Sequence, residues 1–169
     1  MKIFLTVLTL FLTLNSFSQR RNFVFAEASV DAKHIVRDSV DLVLMIGAHD
    51  RDWEVALRYE NFWKREYREM GAVVRYMFYP YEYKNGWLRG WELDAGAGIG
   101  IITRTGSYRG ASAVSYAVLG GLGYDFEWAI LKTTVELKRR GDLYVLYDDN
   151  LWKPSIYVGL KVKLFDRKI

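Results

Sequence analysis

The chain has 169 residues, no cysteine and a formal net charge of +4. This length is typical of one domain, and the absence of cysteine excludes disulfide bonds, thiolate metal sites and thiol chemistry. Basic and acidic residues are interspersed, so the modest positive charge does not favour nucleic-acid binding.

The first residues are typical of a secretory signal peptide. Lys2 precedes an apolar run over residues 3–14, and polar or small residues follow up to Gln19. The run is short for a membrane-spanning helix, which favours a cleaved signal over a helical anchor. We predict a signal peptide over residues 1–18, cleavage after Ser18, and one domain over residues 19–169.

Eight later segments alternate between apolar and polar residues. In chain order they cover residues 23–30, 40–49, 53–60, 71–78, 91–101, 113–124, 129–138 and 156–164. In the last segment, apolar residues from Ile156 to Leu164 share one face, and Lys161 and Lys163 lie on the other. Period-two alternation predicts strands with one apolar face. No later segment has the eighteen consecutive apolar residues of a transmembrane helix.

The predicted connections differ in length. Residues 49–52 and 125–128 read as tight turns, and residues 80–86 contain the hairpin signal Asn85-Gly86. Residues 31–39, 61–69, 104–110 and 139–154 read as longer loops. Residues 143–147 also have strand character and are predicted to extend the seventh or eighth strand. Short turns at one end and long loops at the other are typical of outer-membrane barrels. We therefore predict an all-β, eight-stranded, antiparallel up-and-down transmembrane barrel with short periplasmic turns and longer external loops.

The apolar faces could contact either lipid or a protein core. An eight-stranded barrel has an interior barely wide enough for side chains, and the apolar faces carry large residues such as Trp53, Tyr76 and Trp91. The opposite faces carry Gly96, Gly121 and many charges. Residue size therefore favours apolar faces that point outward to lipid, over a soluble lipocalin-like barrel.

Charges on the inward faces must pair, because desolvated charges are costly. We predict a lumen charge network of Glu54, Arg58, Arg75, Glu92, Asp94, Lys132, Glu136, Lys161 and Lys163. Expected partners are Arg58 and Arg75 with Glu54, Glu92 or Asp94, and the three lysines with Glu136; Glu27 is expected to meet Lys161 or Lys163. We favour a stabilising plug over a conducting path because the lumen is narrow.

Aromatic residues cluster where strands meet the turns. Phe23 and Phe25 begin the first segment, and the predicted membrane-interface aromatics are Trp53, Phe78, Trp87, Trp91 and Tyr124. An aromatic girdle is typical of barrel–membrane interfaces. Trp128 and Phe165 lie at the same level but out of phase with the lipid-facing residues of their strands.

Together, the signal peptide, the eight amphipathic strands, the aromatic strand ends and the terminal strand resemble small outer-membrane β-barrel proteins of the OmpX and OmpA-transmembrane-domain type, within the porin family. The residues before Gln19 also resemble exported proteins of Bacteroidetes-type bacteria. The resemblance implies residence in the bacterial outer membrane, contact with its lipid and lipopolysaccharide, recognition by the barrel-assembly machinery and possible membership of an outer-membrane protein complex. It also implies that Gly159, Val162, Leu164 and Phe165 form the assembly signal. In that family the phenylalanine is often the last residue, whereas four residues follow Phe165 here.

Catalysis is not favoured by the residues present. Lipid-modifying barrels need a serine and a histidine in contact, whereas His34 and His49 read as solvated loop residues. No cofactor or metal is predicted; residues 148–150 form at most a weak cation site, and residues 96–100 lack the strand-to-helix setting of a nucleotide loop. We predict a non-enzymatic structural or partner-binding barrel, with a narrow solute channel or a lipid-modifying enzyme as alternatives.

Overall fold

The computed structural model describes residues 22–35, 40–63, 66–79, 90–105, 112–142 and 152–167. These residues form β1 (Asn22–Asp31), α1 (Ala32–Ile35), β2 (Asp41–Asp50), β3 (Trp53–Phe62), β4 (Tyr67–Phe78), β5 (Trp91–Arg104), β6 (Ser112–Asp125), β7 (Ala129–Arg140) and β8 (Trp152–Arg167). The helices among them include none with the length and apolar character needed to cross a membrane.

The eight strands close into one antiparallel barrel. Each strand pairs with the next along the chain, and β8 returns to pair with β1. This confirms the predicted all-β, eight-stranded, up-and-down fold. Closure satisfies the backbone hydrogen bonds of every strand edge, which is a requirement for a sheet that crosses lipid.

Side chains alternate across the barrel wall as the sequence predicted. On the outside, Leu57 is 67% exposed and Met70 is 69% exposed, whereas Glu60 and Arg75 on the inside are 0% and 2% exposed. Successive residues of a strand point to opposite sides of the wall, and this repeat of two residues produces the contrast in exposure. An apolar exterior around a charged interior is the reverse of a water-soluble protein.

Two aromatic residues face the opposite way from the prediction. Phe23 and Phe25 are buried inside the barrel, at 5% and 0% exposure, instead of joining an outer girdle. They share the inward phase of Glu27, which also lies on β1 and is buried. Position near a strand end suggested the girdle, but the phase of the strand decides the direction of the side chain.

A bulge in β8 resolves the out-of-phase position of Phe165. Val24 of β1 pairs with Phe165, but the adjacent Phe25 pairs with Lys163, so the register shifts by one residue. Leu164 and Phe165 consequently both lie outside, at 46% and 73% exposure. An extra residue that re-aims a side chain is characteristic of β-bulges. Trp128 is likewise outside, just before β7.

The described connections differ from the predicted lengths at one place. Residues 51–52 and 126–128 are tight turns, as predicted, with Arg51 at φ 59° and Glu127 at φ 78°. The predicted long loop over residues 61–69 is wrong: β3 and β4 run to Phe62 and Tyr67, whose rings meet edge to face at 5.7 Å. β4 ends at Phe78 and β5 begins at Trp91, as predicted; the hairpin signal Asn85-Gly86 lies outside the described residues. Residues 143–147 lie outside the described ranges.

Candidate functional site

One group of ionisable side chains lies inside the barrel nearer the turns. It is named here the turn-side cluster and consists of Glu27, Glu54, Arg75, Glu92, Asp94, Lys132 and Lys161, all buried. Arg75 Nη1 donates to Glu27 Oε2 at 2.9 Å and to Glu54 Oε1 at 2.8 Å. Lys161 Nζ donates to the other oxygen of Glu54 at 2.6 Å, and Lys132 Nζ lies 3.0 Å from Asp94 Oδ2. The cluster joins strands on all sides of the lumen.

A second group lies nearer the loops. This loop-side cluster consists of Arg58, Glu60, Glu69, Glu136 and Lys138. Lys138 Nζ pairs with Glu60, with Glu69 at 2.9 Å and with Glu136 at 3.2 Å. Arg58 pairs with Glu136 and, at 2.6 Å, with Glu60. Along β3 and β4 the inward, buried Ala56 and Val73 separate the two clusters.

Hydroxyl groups complete the loop-side cluster. Tyr67 donates to Glu60, and Ser115 Oγ donates to Glu69 Oε1 at 2.8 Å. The Arg58 guanidinium also lies 5.6 Å from the centre of the Tyr157 ring. Buried charges require such additional hydrogen bonds, because ion pairing alone seldom compensates for desolvation.

Glycines on β6 make room for acids on β5. A Cβ at Gly123 would lie 2.8 Å from Glu92 Cγ, and a Cβ at Gly121 would collide with the Asp94 carboxylate. At these positions the acids of the interior therefore lie against small neighbours.

Three residues bridge the loop-side end of the lumen. Asp142, just beyond β7, accepts from Arg140 Nη2 at 2.8 Å and lies 2.7 Å from Arg104 Nη2. The Arg140 guanidinium stacks 3.9 Å from the centre of the Tyr67 ring. Burial would raise the pKa of Asp142, but the hydrogen bond from Arg140 and the charges of Arg140 and Arg104 lower that pKa overall.

His49 closes the opposite end and is not the solvated turn residue that the sequence suggested. It is 2% exposed, and its ring stacks on Phe23 at 4.6 Å between centroids. Its Nε2 lies 2.7 Å from the Arg51 carbonyl oxygen and 2.9 Å from the Tyr79 hydroxyl. Because His49 is the second-last residue of β2 and in phase with buried positions, the alternation carries it inward. The side chain of His34 lies outside the described part of the structure.

All nine predicted network residues point into the barrel, but several predicted partners are wrong. Glu27 faces Lys161 in the β1–β8 register, yet its carboxylate pairs with Arg75. Glu136 pairs with Arg58 and Lys138, neither of which was its expected partner. The predicted pair of Arg75 and Glu54 does form, between register partners on β3 and β4. Other partners come from strands that are not neighbours, because long side chains reach across the lumen.

Lys163 lies apart from the two clusters, because its ammonium pairs with Asp125 at 2.8 Å near the turns. The prediction also omitted interior groups, among them Glu60, Glu69, Arg104, Lys138, Arg140 and Asp142. Strict alternation already assigns Glu60 and Lys138 to the inward face, so this signal was present in the sequence. Glu69, Arg104, Arg140 and Asp142 fell in segments that were read as loops, so their inward direction was not predicted.

The described interface aromatics form two chains of edge-to-face rings at the turn end. Trp53 meets Tyr76 at 5.0 Å, and Tyr76 meets Phe78 at 4.8 Å. Trp91 meets Tyr124 at 5.4 Å, and Tyr124 in turn meets Phe126 at 4.9 Å, in an otherwise similar arrangement. Trp87 lies outside the described residues.

The described residues do not assemble a metal site. Among the described residues, no group of three or more histidine, cysteine or acidic side chains is placed to hold a metal ion. The described contacts of His49 include an aromatic ring, a backbone carbonyl, the Tyr79 hydroxyl and a carboxylate. The described contacts between the charged groups of the interior are ion pairs.

This fold and interior define a class: closed eight-stranded antiparallel barrels with an apolar exterior and a charged lumen. The chain is similar to the crystal structure of the N-terminal β-barrel domain of Pseudomonas aeruginosa OprF, with a TM-score of 0.60, 17% identity, and coverage of 85% of this chain and 98% of that one. It is also similar to the crystal structure of Neisserial surface protein A (NspA), with a TM-score of 0.51, 16% identity, and coverage of 86% and 97%. At these identities the likeness establishes the fold. No family model matches the sequence, and no curated protein matches it.

Proposed function

We propose that the protein is a non-enzymatic integral barrel of the bacterial outer membrane, exported by the signal peptide over residues 1–18. Its role is structural or involves surface contact with a partner, and its lumen is plugged by the two charge clusters. Outer-membrane lipid and lipopolysaccharide surround it, and the barrel-assembly machinery recognises its C-terminal strand. The fold shared with the OprF domain and NspA supports this proposal.

The observation that carries the proposal is the inversion of polarity across the wall. Leu57, Val118 and Val135 are 67%, 61% and 55% exposed on different strands, whereas the charged residues between them are buried. An apolar patch this continuous would aggregate in water. The strands have 10 to 16 residues, enough for the roughly 9–11 residues that a tilted transmembrane strand needs.

A charge placed in the middle of the outer surface tests membrane residence. Leu57→Arg is expected to destabilise the barrel in bilayers by about 2–4 kcal/mol, as arginine does near the midplane. Trp63→Arg is the matched control: Trp63 is 58% exposed but lies beyond the end of β3. Folded barrel is measured by its heat-modifiable mobility on gels after refolding into vesicles. Equal stability of Leu57→Arg and Trp63→Arg, or a wild-type product freely soluble without detergent, would contradict the proposal.

The plug is tested by planar-bilayer recording. The paired charges of Arg75 and Lys138 occupy the narrow lumen, so the inserted wild-type barrel is expected to show no steady conductance. A stable, ion-selective conductance from wild-type protein would favour the narrow channel instead. Unchanged lipid A in cells that overproduce the protein would remove the lipid-modifying alternative.

A further inference from the structure

Two adjacent arginines at the end of β7 point in opposite directions. Arg140 is buried inside, paired with Asp142 and stacked on Tyr67. Arg139 has the outward phase of Leu137 and Val135, which form the apolar surface. Within the described parts of the chain, Arg139 has no carboxylate within ion-pair distance. The described residues therefore leave this outward cation, at the edge of an apolar belt, open to a counter-charge from a bound molecule.

The neighbours of Arg139 define the setting of that counter-charge. In the strand register Arg139 lies directly between Tyr116 of β6 and Trp152 of β8. Both aromatic residues are outward, at 46% and 42% exposure. Amphipathic rings of this kind settle at the level of lipid headgroups. The three residues therefore form one row across adjacent strands where the apolar belt ends.

We propose that Tyr116, Arg139 and Trp152 form a binding site for the anionic phosphate headgroup of a membrane lipid in the leaflet nearer the loops. The guanidinium is the planar donor suited to phosphate oxygens, and the rings flank the lipid on both sides. This inference rests on the proposed membrane residence. It adds a particular lipid class and a particular place on the barrel.

Arg68 provides a matched control on the same level of the belt. It is outward and exposed near the loop end of β4, but its register neighbours are Asn61 and Thr103. It therefore carries the same charge without flanking aromatic rings. A general attraction of the surface for anionic lipid would depend equally on Arg68 and Arg139.

Native mass spectrometry of barrels released from mixed vesicles measures the site directly. Vesicles contain equal phosphatidylcholine and phosphatidylglycerol, and only chains with folded gel mobility are counted. We expect wild type to retain phosphatidylglycerol preferentially and Arg139→Gln to lose that preference by roughly fivefold, the size expected for one basic residue at an anionic surface. Arg68→Gln is expected to keep most of it, and Arg139→Lys, which preserves the charge, to retain more than Arg139→Gln.

The possible outcomes distinguish failure of the lipid site from failure of the proposed membrane residence. Equal losses in Arg139→Gln and Arg68→Gln, or no loss in Arg139→Gln, would overturn the site while leaving membrane residence intact. Inorganic phosphate added to phosphatidylcholine vesicles should give no bound adduct; an adduct lost with Arg139→Gln would mean a free-anion site and overturn the lipid assignment. A wild-type chain that does not insert into vesicles overturns the proposed function and this inference together.

Discussion

Removal of Arg75 from the turn-side cluster should destabilise the barrel strongly. Arg75 is 2% exposed and contacts Glu27 at 2.9 Å and Glu54 at 2.8 Å. Glu54 keeps a second partner, Lys161, at 2.6 Å. Glu27 has no other cation within ion-pair distance among the described residues. Arg75→Ala therefore leaves one buried carboxylate without its partner.

The cost follows from that single uncompensated charge. Breaking a buried ion pair by removal of one partner costs about 3–5 kcal/mol, whereas removal of both partners is often close to neutral. The double variant Arg75→Met with Glu27→Gln should therefore recover most of the loss, since neither charge remains. The difference between single and double variants isolates the pair from general packing effects.

Urea unfolding of vesicle-inserted protein, followed by tryptophan fluorescence and by gel mobility, measures these free energies. Arg68→Ala is the control, because it removes an arginine from the outward face of the same strand and should change stability by no more than about 0.5 kcal/mol. A cost for Arg75→Ala below about 1 kcal/mol would refute the reasoning, as that is the range of solvent-screened surface pairs. Failure of the double variant to recover stability would refute the pairing with Glu27.

Three further predictions concern other parts of the interior. Lys138→Met leaves three acids of the loop-side cluster facing each other and should cost at least as much as Arg75→Ala, measured by the same urea unfolding. The lowered pKa of Asp142 means that its contribution to stability is present above its ordinary unfolded value of about 3.9 and is lost as pH falls through the folded value; Asp142→Asn should remove that part of the acid dependence in thermal melts from pH 7 to pH 2. Gly121→Val places carbon atoms where the Asp94 carboxylate lies, so the folded fraction on gels should drop sharply; a fully folded product would show that the interior has more room than described.

The sequence was sufficient to predict the wall of the barrel. Alternation over eight segments set the number of strands and the outward direction of Leu57 and Trp53, because each successive residue in a strand points to the other face. The prediction was wrong for Phe23 and Phe25, because it relied on their position near a strand end and not on the alternation of the strand. It also failed for His49, which follows the alternation of β2 into the lumen although its neighbours read as a turn.

What the sequence determined by itself is therefore the face of each residue: the apolar exterior and the charged interior follow from spacing along one strand. Only the closed barrel decided which charges meet. Lys161 and Glu54 lie 107 positions apart and Arg58 and Glu136 lie 78 apart, and strand tilt and the β8 bulge set their relative heights. Long side chains cross the interior, so register neighbours such as Glu27 and Lys161 need not pair, whereas Glu54 and Arg75 do.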